Sequence, residues 1–193
     1  MGIPLAQLLS SSTVLSRDFY ARPAVEVARD CLGKILVHAK TAGRIVETEA
    51  YLGVTDAAAH AYRGITLRTR VLFGPPGHAY VYLIYGIHDC LNIVAEPEGA
   101  AGCVLIRALE PRTGITCATD GPGKLTRALG ITLKHNGCDV TRGPVTVSAP
   151  EAAAAFETGV SPRIGITKAA DLPLRFFIKG NRFVSGAKSA LRR

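Results

Sequence analysis

The sequence predicts an α+β domain: a curved, mainly antiparallel sheet with flanking helices and a protruding β-hairpin. Three observations predict it. Three apolar, β-branched runs, Ala79–Ile84, Cys90–Ala95 and Cys103–Leu109, follow one another with links too short for helical crossovers. Only two windows, near residues 23–32 and 123–129, carry helix signals. The chain has 193 residues, 48% of them hydrophobic, which is enough for one core without disulfide or metal staples. A single domain over residues 1–193 is expected, with roughly the first 14 and last 7 residues loose.

Taken in order, MGIPLAQLLSSSTVLSRDFYARP has no basic n-region and no cleavage site, so it reads as mature chain. Pro23–Leu32 is a helix, with Pro23 suited to its first turn and Gly33 to the position beyond its end. Lys34–Lys40 and Arg44–Tyr51 form a hairpin turning at Thr41-Ala42-Gly43. Gly53 to His78 is long, polar and aperiodic, with a forced turn at Gly74–Gly77. Loops of that length are often functional. The three strands follow, then a short helix at Gly123–Leu129. Val145–Val147 and Arg175–Ile178 are late strands, and Asn181–Ser185 is a further strand candidate. No apolar run reaches the ~18 residues of a membrane span.

The formal charge is +8, and it is lopsided. Residues 161–193 hold Arg163, Lys168, Arg175, Lys179, Arg182, Lys188, Arg192 and Arg193 against Asp171 alone. A basic end of this kind suits a polyanion, nucleic acid first. The alternative is a solvated tail that aids solubility. The five cysteines are odd in number and form no C-x-x-C pair, which argues for reduced thiols rather than a zinc or disulfide framework.

Several side chains could carry chemistry. In R-I-V-E-T-E-A-Y, alternation puts Ile45, Glu47, Glu49 and Tyr51 on one face and Val46, Thr48 and Ala50 on the other. A buried carboxylate costs several kcal/mol unless paired. Either that face is wet, or a carboxylate is held there as a general base. Arg107 lies inside a sheet run, where an arginine pairs with a carboxylate, structurally or catalytically. His60, Tyr62, Arg63, Arg68 and Arg70 make a phosphate and base surface, or simply a solvated loop. Tyr80 and Tyr82 share a strand face. The hairpin tip Tyr85-Gly86-Ile87-His88 is oddly apolar, since tips are normally polar. It suits a wedge between bases; the alternative is that all the tyrosines pack inside. Asn92, an amide in an apolar strand, needs a partner if buried.

On these residues the chain resembles the alkyladenine (3-methyladenine) DNA glycosylase family of base-excision repair. The motifs are RIVETEAYLG (44–53), DAAAH (56–60), YVYLIYG (80–86), CLNI (90–93), CVLIRALEP (103–111), GPGKLTRALGI (121–131) and PLRFFIKG (173–180). The resemblance runs from about residue 15 to 186. It implies an enzyme that flips an alkylated or deaminated purine out of duplex DNA and hydrolyses its N-glycosidic bond. It implies no metal, no cofactor and no lysine Schiff base, and so no lyase step.

By the same resemblance, Glu49 is the general base that activates a water, and Arg107 holds that water and Glu49. Tyr51 stacks on the flipped base, His60 packs and hydrogen-bonds beside it, and Tyr82 closes the aromatic pocket. Asn92 excludes the amino group of normal guanine. Tyr85 is the wedge, and Ile87 and His88 follow it toward the minor groove. These two, and Ala61 after His60, depart from the family pattern. Arg63, Arg68 and Arg70 complete the expected DNA contacts. His60 is the one candidate acid for neutral lesions.

Stacking is worth ~1–3 kcal/mol per base, and an electron-rich box attracts a cationic alkylated purine. The partner is then double-stranded DNA bearing damaged purines. No membrane and no obligate protein partner is expected, and the protein should be a monomer. Its place would be the cytoplasm (the bacterial nucleoid), or the nucleus in a eukaryote. Two other classes compete. One is a catalytically silent nucleic-acid binder that uses the hairpin as a structural wedge. The other is a sugar hydrolase using Glu47 and Glu49 as its carboxylate pair. The absence of Trp and the basic charge count against that hydrolase.

Overall fold

The computed structural model describes residues 4–152 and 154–186. The N-terminal part comprises α1 (Leu5–Ser10), β1 (Ser12–Val14), α2 (Arg17–Tyr20), α3 (Ala24–Asp30), β2 (Ile35–His38) and β3 (Thr41–Leu52). After a long connection come β4 (Ala79–Ile84), β5 (His88–Ala95), β6 (Gly102–Thr113), α4 (Pro122–Leu129), β7 (Val145–Pro150), β8 (Thr158–Ser161) and β9 (Arg175–Ile178). Nine strands join one sheet, seven of them in the order β1-β7-β2-β3-β6-β5-β4, with β9 pairing β3 and β8 pairing β9, and every pair is antiparallel. β6 runs along one edge of β3 for its whole length. The other edge is shared, by β2 at residues 41–44 and by β9 at residues 47–49. The α+β expectation holds.

Period-2 alternation gives the sheet two unlike faces. Ala79 and Val81 of β4, Leu91 and Ile93 of β5, and Val104 and Ile106 of β6 enter the main core. So do Val46 and Ala50 of β3, together with Val27 and Ala28 of α3 and Leu125 and Leu129 of α4. The in-between residues point the other way. Tyr80, Val94 and Cys103 join Ala61 and Leu72 in a smaller cluster, with Tyr51 and Tyr82 packed against it. The connection 53–78 covers this second face. It is not wholly irregular, since it makes three 3-10 turns, Gly53–Thr55, His60–Arg63 and Arg70–Phe73.

Two local expectations are corrected. The β2–β3 turn is at Ala39-Lys40, with Ala39 at φ 52°, and not at Thr41-Ala42-Gly43. Gly43 is a strand residue. A Cβ there would stand 2.9 Å from Leu109 Cβ, so the glycine marks close strand packing rather than a turn. Asn181–Ser185 is not a strand. It closes on itself as a turn: the Phe183 N–H donates to Asn181 Oδ1 and the Val184 N–H to the Asn181 carbonyl. A polar side chain that satisfies nearby backbone competes with a ladder.

Candidate active site

The site begins with a break in the register of the β3–β6 pair. Ile45 faces Leu109, Glu47 faces Ala108 and Thr48 faces Ile106. Val46 and Arg107 are therefore left unpaired on opposite strands. Bulges of this kind re-aim side chains and recur beside active sites. Ile45 falls in the main core with Val46 and Ala50, so it does not keep company with the glutamates as simple alternation predicts. Arg107 comes to lie against both carboxylates. Its Nε donates to Glu47 Oε1 at 2.9 Å and its Nη1 is 3.2 Å from Glu49 Oε1.

Both glutamates are fully buried, which rules out a solvent-facing strand carrying two surface charges. Their surroundings differ. Glu47 Oε1 accepts from Arg107 Nε, from Arg175 Nε (2.7 Å) and from Ser185 Oγ (2.7 Å). Its Oε2 accepts from the Ser185 N–H at 2.6 Å. Burial alone would raise its pKa, but Arg107, Ser185 and Arg175 outweigh it, and the carboxyl sits below its ordinary value. Glu47 is thus a saturated, ionised hub tying β3, β6, β9 and the turn at Ser185 together.

Glu49 is less well supplied. Its Oε1 accepts from the Ile164 N–H at 2.8 Å and its Oε2 from the Tyr51 hydroxyl at 2.9 Å. Burial pushes its pKa up, and Arg107, Ile164 and Tyr51 only partly reverse that, so it stays above the ordinary value. Two carboxylates one residue pair apart with pKa values driven in opposite directions form an arrangement that separates a proton acceptor from its electrostatic support. With every neighbour of Glu47 already a donor to it, Glu47 is not free to be the second carboxylate of a sugar hydrolase.

Arg163 was visible in the sequence only as a charge. It is buried, ion-paired to buried Asp56, donates to the Ala50 carbonyl at 3.0 Å, and stands 4.6 Å from the Tyr51 ring centroid. It pins the segment whose next residue, Ile164, donates to Glu49. Arg175 and Ser185 were missed in the same way. All three lie more than 100 residues from their carboxylates, and no local spacing announces such pairs. The basic C-terminal part is accordingly less free than its charge count implies. Arg163 and Arg175 face inward, and Lys179 pairs with Glu157. Lys188, Arg192 and Arg193 lie outside the described residues.

Beside Glu49 opens a cleft of about 320 Å³. Tyr51, His60, Tyr82 and Asn92 all line it, and so do Tyr80, Tyr85 and Arg68. Neither Glu49 nor Arg107 lines it; Glu49 meets its wall through the hydrogen bond from the Tyr51 hydroxyl. The His60 ring stands edge-on to Tyr82, with centroids 4.6 Å apart, and its Nδ1 is 3.0 Å from the Tyr80 hydroxyl. Burial, then Arg68, lowers the pKa of His60, so it is neutral at pH 7 and poorly suited to donate a full proton. The buried Asn92 amide donates to the Tyr80 carbonyl at 3.3 Å. The cleft has the size and the mixed aromatic and polar lining of a small-molecule pocket.

The β4–β5 tip projects next to it. Tyr85 and Gly86 both have positive φ, 52° and 71°, and Tyr85 is 83% exposed. That excludes the alternative in which every tyrosine is internal, although Tyr80 is buried. Ile87 and His88 are exposed too, and His88 packs on Gly123 at the start of α4. Arg63 and Lys168 line an outer basic hollow that adjoins the cleft at His60 and Arg68. Arg70 is exposed but lines neither. Among the described residues, no cluster of three or more metal-ligating side chains forms, the five cysteines are free, and no helix is long and apolar enough to cross a membrane.

A family model described as methylpurine-DNA glycosylase matches residues 18–182. A protein of Methanoculleus marisnigri is 53% identical over 189 residues, covering 89% of this chain and 98% of its own. One of Bradyrhizobium diazoefficiens is 48% identical over 183 residues, covering 89% and 90%. One of Legionella pneumophila (strain Lens) is 48% identical over 178 residues, covering 89% and 97%. All three are provisionally named 3-methyladenine DNA glycosylases.

Proposed function

The chain belongs to the methylpurine-DNA glycosylase family, and on that premise we propose a monofunctional enzyme that flips a damaged purine from duplex DNA and releases it with water. The flipped base enters the cleft between Tyr51, His60 and Tyr82. Unstacking costs a few kcal/mol, least at damaged or mismatched pairs, and this contributes to selectivity. Tyr85 fills the vacated stack. Asn92, with its amide orientation fixed, rejects the exocyclic amino group of guanine.

Glu49 is the general base. It takes a proton from a water whose oxygen bonds to C1′ of the sugar. The C1′–N bond breaks and its electron pair leaves with the base. A cationic alkylated purine leaves without further protonation. Arg107 is the electrostatic support for this step, and the backbone N–H of Ile164 orients the carboxylate. The product is an intact strand with an abasic site, since no amine takes part. The protein acts as a monomer on DNA in the cytoplasm of a bacterium or the nucleus of a eukaryote.

The observation that carries the reading is the contrast between the two glutamates, one saturated by four donors, the other raised in pKa beside an aromatic cleft. A silent binder has no need of a second buried carboxylate with an elevated pKa. The test is base release from duplexes that each carry one defined lesion. Free base together with an uncleaved abasic strand supports the proposal. Strand cleavage without added base contradicts the monofunctional part, and no release from any alkylated duplex contradicts the whole.

A further inference from the structure

Arg68 occupies a place that the glycosylase reading does not explain. It is exposed, yet it lines the aromatic cleft and the outer basic hollow alike. Its guanidinium carbon stands over the Tyr82 ring, 5.3 Å from the centroid. It is close enough to His60 and Tyr80 to affect the titration of both. No carboxylate lines the cleft or the hollow. The arginine therefore lies against an aromatic wall with no anion to hold it there. Beside a hydrogen bond to the Tyr80 side chain, its hold there is a cation–π contact worth ~0.5–1 kcal/mol at an exposed site, so no charged partner retains Arg68.

We propose that Arg68 is a specificity-determining gate: in the free protein it stacks on the Tyr82 wall, and it leaves for a backbone phosphate in the outer hollow when a nucleotide enters. This rests on the DNA glycosylase reading. Two consequences follow from charge. A cationic purine offered without a phosphate meets the Arg68 cation inside the cleft and is repelled. The same base on a DNA strand brings the phosphate that draws Arg68 away. Arg63, Lys168 and Thr66 line the hollow that would receive the phosphate.

The probes are 3,9-dimethyladeninium, a purine of fixed positive charge, and 9-methyladenine, its neutral counterpart. Two unit charges ~6 Å apart at an effective dielectric of ~20–80 repel by an amount worth about 3- to 100-fold in affinity. Arg68→Met should therefore bind the cationic probe on the order of tenfold more tightly than wild type. The neutral probe should gain about fivefold or less. For lesion-bearing duplex, Arg68→Met should bind more weakly, and the slope of log K against log salt should flatten by ~0.9, the loss of one phosphate contact. Arg68→Lys should keep the slope.

Equal binding of the cationic probe by both proteins, including none by either, would overturn the gate. So would an unchanged salt slope. Tighter binding of both probes alike would make Arg68 a steric plug and not an electrostatic one, which also overturns it. Base release by the wild-type protein on the same duplex is a separate readout. Its failure would sink the glycosylase reading while leaving the small-molecule comparison intact.

Discussion

Replacing Glu47 by glutamine keeps the side-chain volume and removes one charge from a cluster of two carboxylates and two guanidinium groups. The amide has one acceptor oxygen in place of two. If its nitrogen takes the Oε2 position, it meets the Ser185 N–H; if it takes the Oε1 position, it meets Arg107 Nε, Arg175 Nε and Ser185 Oγ. Either way a buried donor loses its acceptor and the cluster gains a net positive charge. Breaking a buried pair in this way costs about 3–5 kcal/mol. At about 2–4 °C per kcal/mol for a chain of this length, Tm should fall by roughly 6–20 °C. Denaturant and thermal unfolding would measure it, with single-turnover base release assayed well below the lowered Tm. The folded variant should still release base, at a loss well short of the ~10²–10⁴-fold that general-base removal brings. An unchanged Tm together with abolished base release would refute the division of roles, making Glu47 the base.

Other consequences are as direct. The single-turnover rate should rise with pH through a limb above ~4.3, the ordinary glutamate value, because the base must be ionised and burial raises its pKa; a limb at or below that value would contradict Glu49. Stability follows the two carboxylates in opposite senses. The contribution of Glu47, whose folded pKa is lowered, is present above the unfolded value and lost as pH falls through the folded one. That of Glu49, whose folded pKa is raised, is present below the unfolded value and lost as pH rises through the folded one, and titration by denaturant at several pH values resolves both. Tyr85→Ser should leave Tm unchanged, since the side chain is exposed, and weaken lesion binding most in stable pairs and least in mismatches; a sharp fall in Tm would instead mark a packing residue. Arg163→Met strands buried Asp56 and should cost about 3–5 kcal/mol, measured by denaturant unfolding. It should also slow base release in the folded protein, because the Ile164 N–H loses its anchor.

Local pattern accounts for what the sequence reveals of this fold. The runs at 79–84, 90–95 and 103–109 are strands because alternating apolar residues fill one face of a sheet, and each lies inside an observed strand. The Pro23 start and the Gly33 stop bracket α3 for reasons confined to a few residues. The candidate site was legible because Glu49, Tyr51, Tyr82 and Asn92 break the apolar rule on the second face. Long-range and irregular features were not. The paired bulges at Val46 and Arg107 leave no compositional mark, and they shift Ile45 into the main core. Asn181–Ser185 reads as β-branched and aromatic but is shaped by Asn181 into a turn that delivers Ser185 to Glu47. Arg163 and Arg175 look like free surface charge until their buried partners are known.

Glu49→Gln tests the central claim most directly. The amide preserves size, and with its oxygen accepting from the Ile164 N–H its nitrogen can donate to the Tyr51 phenol oxygen, so lesion-bearing duplex should bind as tightly as to wild type. The single-turnover rate of base release should fall by ~10²–10⁴-fold at pH 7, and the acid limb of the pH profile should disappear. A variant that binds normally and releases base at the wild-type rate would contradict the account.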